Sequence, residues 1–332
     1  MCSHTYSHEL KYQDFLELVK KSDFEKTVQQ EHEEILRKKV DGKFTEARKK
    51  ENLPLNRYGY LPCFDHSRVV LPVEKKRSDF FNGNYVDGFD QTNKFILTQA
   101  PLLHTMYDFW RTIWMHHCRI IVMLCEKTIF NRNDKYDAYW CYQEGYLKCM
   151  KFKITTTKVE VQSNYVKTTL EVTDGTKATQ EVLHFVFTTW PDSKLPVSAE
   201  DFLDFILTVR RNYDEIKAQL TQKPCKFPDP PIVVHSKRGI GRSSTFCALF
   251  IEISRFNKTR MVSLASTVSQ IRTERYNALS NFSYYFFCYQ VLACYVSIVG
   301  QGRNKLRGLI VFYRLPLFKK WAVPNFFTLY NS

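Results

Sequence analysis

The stretch PPIVVHSKRGIGRSSTF, residues Pro230–Phe246, predicts how the rest of the chain is arranged. Its first part, Pro231–His235, is apolar and rich in β-branched residues, which indicates a short buried strand. Arg242 begins the run RSSTFCALFIEISRF, whose apolar residues suit a helix. A strand, a glycine-bearing loop and a helix N-terminus together aim several backbone N–H groups at one point. This geometry suits a tetrahedral oxyanion, to which Arg242 can add a bidentate contact that lysine cannot reproduce.

The same loop resembles the phosphate-binding loop of protein tyrosine phosphatases, His-Cys-x-x-Gly-x-Gly-Arg-Ser/Thr. Here the positions are His235, Ser236, Lys237, Arg238, Gly239, Ile240, Gly241, Arg242 and Ser243. The resemblance implies that Lys237–Ser243 bind the phosphate and that Ser236 stands at the nucleophile position. The family attacks phosphorus with a cysteine thiolate, whose pKa the loop dipoles and the arginine depress. A serine hydroxyl is far harder to deprotonate, and the family's histidine, here His235, is no evidence of a Ser–His pair.

Two further stretches resemble parts of the family's substrate site. Asn56-Arg57-Tyr58, followed by Asp65–Arg68, resembles the phosphotyrosine-recognition loop, which implies that Tyr58 stacks on the substrate ring. Two residues on, where the family commonly has an aspartate that grips the substrate backbone, this chain has Tyr60. Trp190-Pro191-Asp192 resembles the mobile general-acid loop, which implies that Asp192 protonates the leaving tyrosine oxygen.

Several positions depart from the family pattern. Counting on from Arg275 places Ser280 where the family has the glutamine that positions the hydrolytic water, and Tyr284 where it has a second glutamine. Lys237 and Arg238 replace residues that are normally small. The segment 126–135 matches the family's Glu- and Lys-bearing loop poorly, and no role is assigned to it. Together with the missing thiolate, these departures predict a site without detectable turnover.

The composition of the chain limits which kinds of protein it can be. The chain has 332 residues, 44% of them hydrophobic, and carries a formal charge of +14, which favours a solvated basic surface or an anionic partner. Its ten cysteines form no CxxC pair and are expected to be core residues such as Cys118, Cys125, Cys247 and Cys288, so neither a metal nor a cofactor is predicted. With no signal peptide and no apolar run of about 18 residues, a reduced, cytoplasmic setting is expected.

The resemblance covers residues 10–298 and implies an α/β (α+β) fold. We expect a single phosphatase-like domain over residues 1–300, with a highly twisted mixed central sheet flanked by helices on both sides and N-terminal helices within about 8–39. The tail 301–332 is basic and aromatic, and a disordered end is favoured over a membrane-surface or partner segment. The remaining predicted elements are a helix over Met106–Trp114, strands over Ile120–Leu124, Lys167–Val172 and Val182–Trp190, and helices over 199–216, 261–275 and Phe286–Leu292.

The leading functional hypothesis is a monomeric, catalytically inactive phosphatase domain that binds phosphotyrosine proteins and shields them. A weakly active enzyme that uses Ser236 and a scaffold that binds irrespective of phosphorylation remain alternatives. Nucleic-acid binding is not expected, because only the basic charge favours it. The N-terminal pattern is most similar to the short phosphatases encoded by polydnaviruses (bracoviruses) of parasitoid wasps. That resemblance implies host phosphotyrosine proteins as partners, and interference with immune signalling in host cells.

Overall fold

The computed structural model describes residues 9–74, 77–125, 138–191, 194–222 and 229–300. Its strands are β1 (Leu10–Lys11), β2 (Arg68–Val70), β3 (Phe80–Val86), β4 (Phe95–Gln99), β5 (Ile120–Met123), β6 (Gly145–Cys149), β7 (Phe152–Val161), β8 (Tyr165–Thr173), β9 (Thr179–Phe187), β10 (Ile232–Ser236) and β11 (Met261–Val262). Its α-helices are α1 (Tyr12–Leu18), α2 (Phe24–Arg37), α3 (Met106–Met115), α4 (Ala199–Thr221), α5 (Arg242–Thr259), α6 (Leu264–Glu274) and α7 (Phe282–Gly300).

Nine of these strands form one mixed sheet in the order β2-β3-β4-β10-β5-β9-β8-β7-β6. The four central strands, β4, β10, β5 and β9, run parallel, and the outer strands pair antiparallel. All five residues of β10 are buried, as expected for a central strand covered on both faces. Because neighbouring parallel strands end at the same edge of the sheet, the chain that follows Ser236 lies beside the ends of β4 and β5.

The two faces of the sheet have separate apolar cores. Helix α3 covers one face, where Phe109 and Trp110 pack in the same cluster as Val233 of β10. The other helices cover the opposite face, where Val234 shares a core with Phe246 of α5. The alternation of Val233 and Val234 between the two cores follows from the period of two along a strand. The predicted fold class, a mixed central sheet flanked by helices on both sides, is confirmed.

Most of the predicted elements are confirmed, and two boundaries were wrong. The predicted strand Val182–Trp190 ends at Phe187, because its neighbour β8 begins opposite it at Tyr165, and the bond from the backbone N–H of Thr188 to the carbonyl of Asn164 is the last between the two segments. The predicted helix 261–275 begins only at Leu264. Before it, Arg260 adopts a left-handed conformation (φ 60°) that ends α5, and β11 pairs antiparallel with β1.

The closing helix is longer than predicted, and it contradicts the expectation that the chain has no apolar run of about 18 residues. By length and composition alone, α7 with its 19 residues is apolar enough to cross a membrane, so an apolar run of that size is present after all. More than half of that window is buried inside the fold, where α7 packs against α1, α2, α4 and α5. A core helix of a folded domain shows the same pattern, so the apolar character of α7 is explained by packing. The tail 301–332, whose role was predicted from its composition, lies outside the described residues.

Candidate active site

The loop between β10 and α5 takes the shape of a cup because two of its residues lack side chains. Gly239 has a left-handed φ of 67°, and a Cβ there would lie 2.4 Å from the carbonyl oxygen of Thr98. A Cβ on Gly241, which precedes the first turn of α5, would lie 2.6 Å from the ring of Tyr284. Glycine therefore allows the loop to lie against β4 on one side and against the start of α7 on the other.

Ser236, at the nucleophile position, lies at the bottom of this cup with 4% of its surface exposed. Its Oγ accepts a hydrogen bond from the backbone N–H of Gly239 (3.1 Å) and lies 3.4 Å from Oγ of Ser243. Both contacts are to neutral groups. The described residues therefore bring the expected hydroxyl to the base of the cup and give it no hydrogen bond to a carboxylate or an imidazole.

Arg242 lies beside the cup and also holds the loop that leads to Asp192. Its Nη2 donates to the carbonyl oxygen of Pro191 (2.8 Å), and its guanidinium lies 5.4 Å from the ring centroid of Trp190. The indole N–H of Trp190 in turn donates to the carbonyl of Lys194 (3.0 Å). Asp192, the predicted general-acid position, lies outside the described residues together with Ser193, whereas Pro191 and Lys194 are described.

Tyr58 is positioned through its neighbour Arg57. The backbone N–H of Arg57 donates to Oε1 of Gln99 (2.8 Å), and its guanidinium donates to the carbonyls of Ala100 (3.0 Å) and Pro101 (2.8 Å). Since Gln99 is paired with Ser236 across the sheet, the aromatic loop is fixed to the strand beside the cup. These contacts place half-buried Tyr58 at the cleft.

A cleft of about 510 Å³ connects these groups. Its lining residues are Tyr58, Cys125, Lys194, Leu195, Ser236, Lys237, Arg238, Ile240, Gly241, Arg242, Ser280, Asn281, Ser283 and Tyr284. Of the predicted site residues, only Gly239 and Ser243 lie behind the surface, and Asp192 is not described. Lys237 and Arg238 are exposed. The described lining carries four cationic side chains and no carboxylate.

Beneath the loop, a fully buried arginine supports the cup. Arg275, 1% exposed, donates from Nε to the carbonyl of Gly239 (3.1 Å) and from its two terminal nitrogens to Oδ1 of Asn84 (2.8 Å) and Asn82 (2.9 Å). Burial lowers the pKa of Arg275 to about 10, so the guanidinium stays protonated near pH 7. The backbone N–H of Leu279 adds a bond to the carbonyl of Ile240 (3.0 Å). The carbonyls of Gly239 and Ile240 are thereby bonded to residues behind the loop.

A buried hydroxyl connects two histidines behind Ser236. Tyr139 Oη lies 2.6 Å from Nε2 of His184 and 2.6 Å from Nε2 of His235. Burial lowers the pKa of His235 to about 3, and that of His184 well below its usual range, so both rings are neutral near pH 7. His235 is therefore a neutral ring that contacts the buried hydroxyl of Tyr139. It does not act as a catalytic base for Ser236.

The sequence did not predict the buried residues that support the cup. Arg275 entered only as a counting point, and Tyr139 and His184 not at all, because they come from separate elements and share no spacing in sequence. Cys125 was predicted to be a core residue; it is 2% exposed but also lines the cleft, because it follows β5 next to the end of β10. Among the described residues, no three His, Cys, Asp or Glu side chains come together as metal ligands.

Comparison with known proteins identifies the fold and its loop. The family model described as Protein-tyrosine phosphatase matches residues 52–294, which span the aromatic loop, the cup and most of the closing helix. The chain belongs to the protein-tyrosine phosphatase family. The match covers well over half of the chain and includes every site residue named above.

Two relatives from Microplitis demolitor bracovirus (isolate Webb) resemble this phosphatase domain over most of their length. Tyrosine phosphatase H2 is 51% identical over 314 residues, which cover 94% of this chain and 95% of that protein. Tyrosine phosphatase-like protein J1 is 33% identical over 270 residues, 81% of this chain and 90% of that protein. The human tyrosine-protein phosphatase non-receptor type 9 is 33% identical over 287 residues, 84% of this chain and 48% of the human protein.

Proposed function

We propose that this protein-tyrosine phosphatase domain binds phosphotyrosine-containing proteins, does not turn them over, and shields them from active phosphatases. The observation that carries the proposal is the neutral Ser236 hydroxyl at the base of a cup that keeps the glycines and the arginine of the family's loop, Gly239, Gly241 and Arg242. The cup offers loop amides and the guanidinium of Arg242 to a phosphate dianion. Phosphoryl transfer in this family also needs a nucleophile that leaves well, and a serine alkoxide does not meet that need.

Two further features support binding over turnover. Ser280, at the position of the water-positioning glutamine, has a side chain too short to replace it. A thiolate at position 236 would repel a phosphate dianion, by about 4 kcal/mol gross for two unit charges 4 Å apart at an effective dielectric constant of 20. The neutral hydroxyl removes that repulsion, so the substitution that abolishes the nucleophile also favours the bound anion.

The alternative of a weak enzyme has less support from the geometry. In the described residues, the contacts of Ser236 are a backbone N–H and a second hydroxyl, and neither can accept its proton as a base would. The phosphorylation-independent scaffold is the other alternative. It does not need the alignment of Tyr58, Ser236 and Arg242 in one cleft, and it predicts that unphosphorylated ligands bind equally well.

The test is a titration of the full-length protein with a phosphotyrosine peptide and its unphosphorylated twin, with released phosphate assayed in the same samples. Arg242→Ala is expected to weaken binding of the phosphorylated peptide by about 100-fold, as for loss of a charged bidentate contact. Arg37→Ala is the matched control, since that arginine is exposed and pairs with Glu33 one helical turn away. Equal binding of both peptides would support the scaffold, and sustained phosphate release would support the enzyme.

The bracovirus relatives suggest where such binding would act. We propose the cytoplasm of host cells, where shielding of phosphotyrosine proteins interferes with tyrosine-phosphorylation signalling, including that of immune cells. Expression in insect haemocyte-derived cells is expected to prolong phosphotyrosine signals after a stimulus, and the Arg242→Ala variant is expected to leave them unchanged. Equal signals with the two proteins would contradict this setting.

A further inference from the structure

A buried histidine on helix α2 bonds to the loop that follows α6. Nε2 of His32 donates to the carbonyl oxygen of Leu279, which is 2.8 Å away and 247 residues further along the chain. Burial lowers the pKa of His32, so near pH 7 the ring is neutral and its N–H proton lies on Nε2. The ring also stacks on Tyr285 of α7, with centroids 4.9 Å apart. The family model begins at residue 52, so this contact comes from a helix outside the matched segment.

The carbonyl that His32 holds belongs to a residue with a strained backbone. Leu279 has a φ of 47°, a left-handed conformation that residues with a Cβ seldom adopt. Its side chain is fully buried, and both of its polar backbone groups are bonded. The N–H donates to the carbonyl of Ile240 in the cup (3.0 Å), and the carbonyl accepts from His32. Such a conformation persists only where the surroundings hold it, and here the contacts lie on both sides of the residue.

The conformation of Leu279 decides where the next residues of the loop lie. Ser280 and Asn281 directly follow it, and both line the cleft together with Ile240. Because the φ and ψ angles of one residue set the direction of the chain after it, relaxation of Leu279 to a negative φ turns both residues. The same change misaligns its N–H with the Ile240 carbonyl. His32 is not among the described residues that line the cleft, so its effect on a ligand passes through Leu279.

We propose that His32 is a positioning residue of the cleft, which holds Leu279 in its left-handed conformation and thereby places Ser280, Asn281 and Ile240 for ligand binding. This inference rests on the proposed function, because the ligand concerned is phosphotyrosine. A histidine that only filled space would need its ring and the stack on Tyr285. The positioning role needs the N–H donor on Nε2, so substitutions can separate the two roles.

The test measures phosphotyrosine-peptide affinity and the urea midpoint of unfolding for three variants of the full-length protein. His32→Phe keeps a ring but leaves the Leu279 carbonyl without a donor, and it is expected to weaken binding on the order of tenfold. His32→Gln restores an amide donor at similar reach and is expected to return the affinity to within about threefold of wild type. The matched control is Ile35→Ala, a buried apolar residue one turn further along α2. It is expected to lower the midpoint and to leave the affinity unchanged.

A ligand-free measurement separates this inference from the function on which it rests. In ¹⁵N-labelled protein, His32→Phe is expected to shift the amide resonances of Ser280 and Asn281, and His32→Gln to restore them. If these resonances stay in place, or if affinity falls in all three variants in step with their midpoints, His32 has only a structural role and the positioning is wrong. If the resonances shift but the wild type binds no phosphotyrosine peptide, the proposed function is wrong and the positioning of the loop stands.

Discussion

The cleft consists of two layers that differ in how far they match an active phosphatase site. The support layer, which includes Arg57, Gln99 and Arg275, forms a connected set of hydrogen bonds under the loop. The surface layer, which includes Ser236 and Ser280, faces the ligand and departs from the family at the positions that perform chemistry. Under the proposed function, holding an anion and cleaving it depend on different residues, so one can be lost while the other stays.

The largest expected effect comes from restoring the nucleophile to the surface layer. Under the proposed function, Ser236→Cys raises the rate of phosphate release by on the order of 10³-fold or more, because the cup lowers the pKa of a thiol placed there. A rapid-quench assay is expected to show a burst in which one phosphotyrosine per protein is converted to tyrosine, with the phosphoryl group held on the introduced thiol, followed by slow hydrolysis that releases phosphate. Adding Ser280→Gln should speed the slow phase.

The double variant Ser236→Cys/Arg242→Ala is the control for this experiment, and its rate is expected to return to background. If Ser236→Cys releases phosphate no faster than the wild type, the nucleophile is not what limits the surface layer, and the contrast between the two layers fails.

The next largest effect comes from removing the centre of the support layer. Arg275→Ala is expected to lower the free energy of unfolding by on the order of 3–5 kcal/mol, because it leaves two buried amide oxygens and the Gly239 carbonyl without a donor. Urea unfolding followed by fluorescence measures this change. Arg37→Ala, which removes an exposed arginine, should cost no more than about 0.5 kcal/mol. Similar losses in the two variants would show that the support layer is not a special source of stability.

A pair of glycines tests whether the shape of the cup depends on backbone conformation. Gly239→Ala is expected to cost on the order of 2–3 kcal/mol and to abolish phosphopeptide binding, because φ is positive and Cβ would meet the Thr98 carbonyl. Gly59→Ala, next to Tyr58, meets no atom within 4 Å and should change the free energy of unfolding little. Unfolding and peptide titration of the two variants give the comparison, and retained binding by Gly239→Ala would contradict it.

The smallest effect concerns the buried histidine behind the cup and depends on pH. Burial depresses the pKa of His235 to about 3, so between the unfolded value of 6.5 and about 3 the unfolded chain binds the proton and the folded chain does not. The contribution of His235 to the free energy of unfolding is therefore present above pH 6.5 and is lost as the pH falls. Between pH 7 and pH 5 it should fall by about 2 kcal/mol.

The difference between wild type and His235→Asn isolates this contribution, since burial raises the pKa of Glu274 to about 7 and thereby acts in the opposite direction. Urea unfolding at the two pH values measures the difference, and a constant gap between the proteins would contradict a neutral buried ring.

By itself, the sequence determined the cup and the substituted positions, because each of these lies in a contiguous stretch, and the fold class followed from the family resemblance over residues 10–298. Strand β10, the glycines and Arg242 lie within Pro230–Phe246, and local periodicity suffices to predict α3 and α5. The absence of a cysteine at position 236 needs no structure to be seen. The boundaries of α6 and β9 could not be predicted in this way, because pairing and turns between distant segments decide them.

Only the tertiary structure decided what supports the cup and how its charges are distributed. Arg275 reaches Asn82 and Asn84 from almost two hundred residues away, and Tyr139 joins two histidines on different strands. Arg242 is buried whereas Lys237 and Arg238 are exposed, although the three residues are close in sequence. The tertiary structure decides this difference in burial as well. Hydrogen bonds, burial and electrostatic fields depend on distance in space, and distance in space follows from the packing of the sheet and its helices.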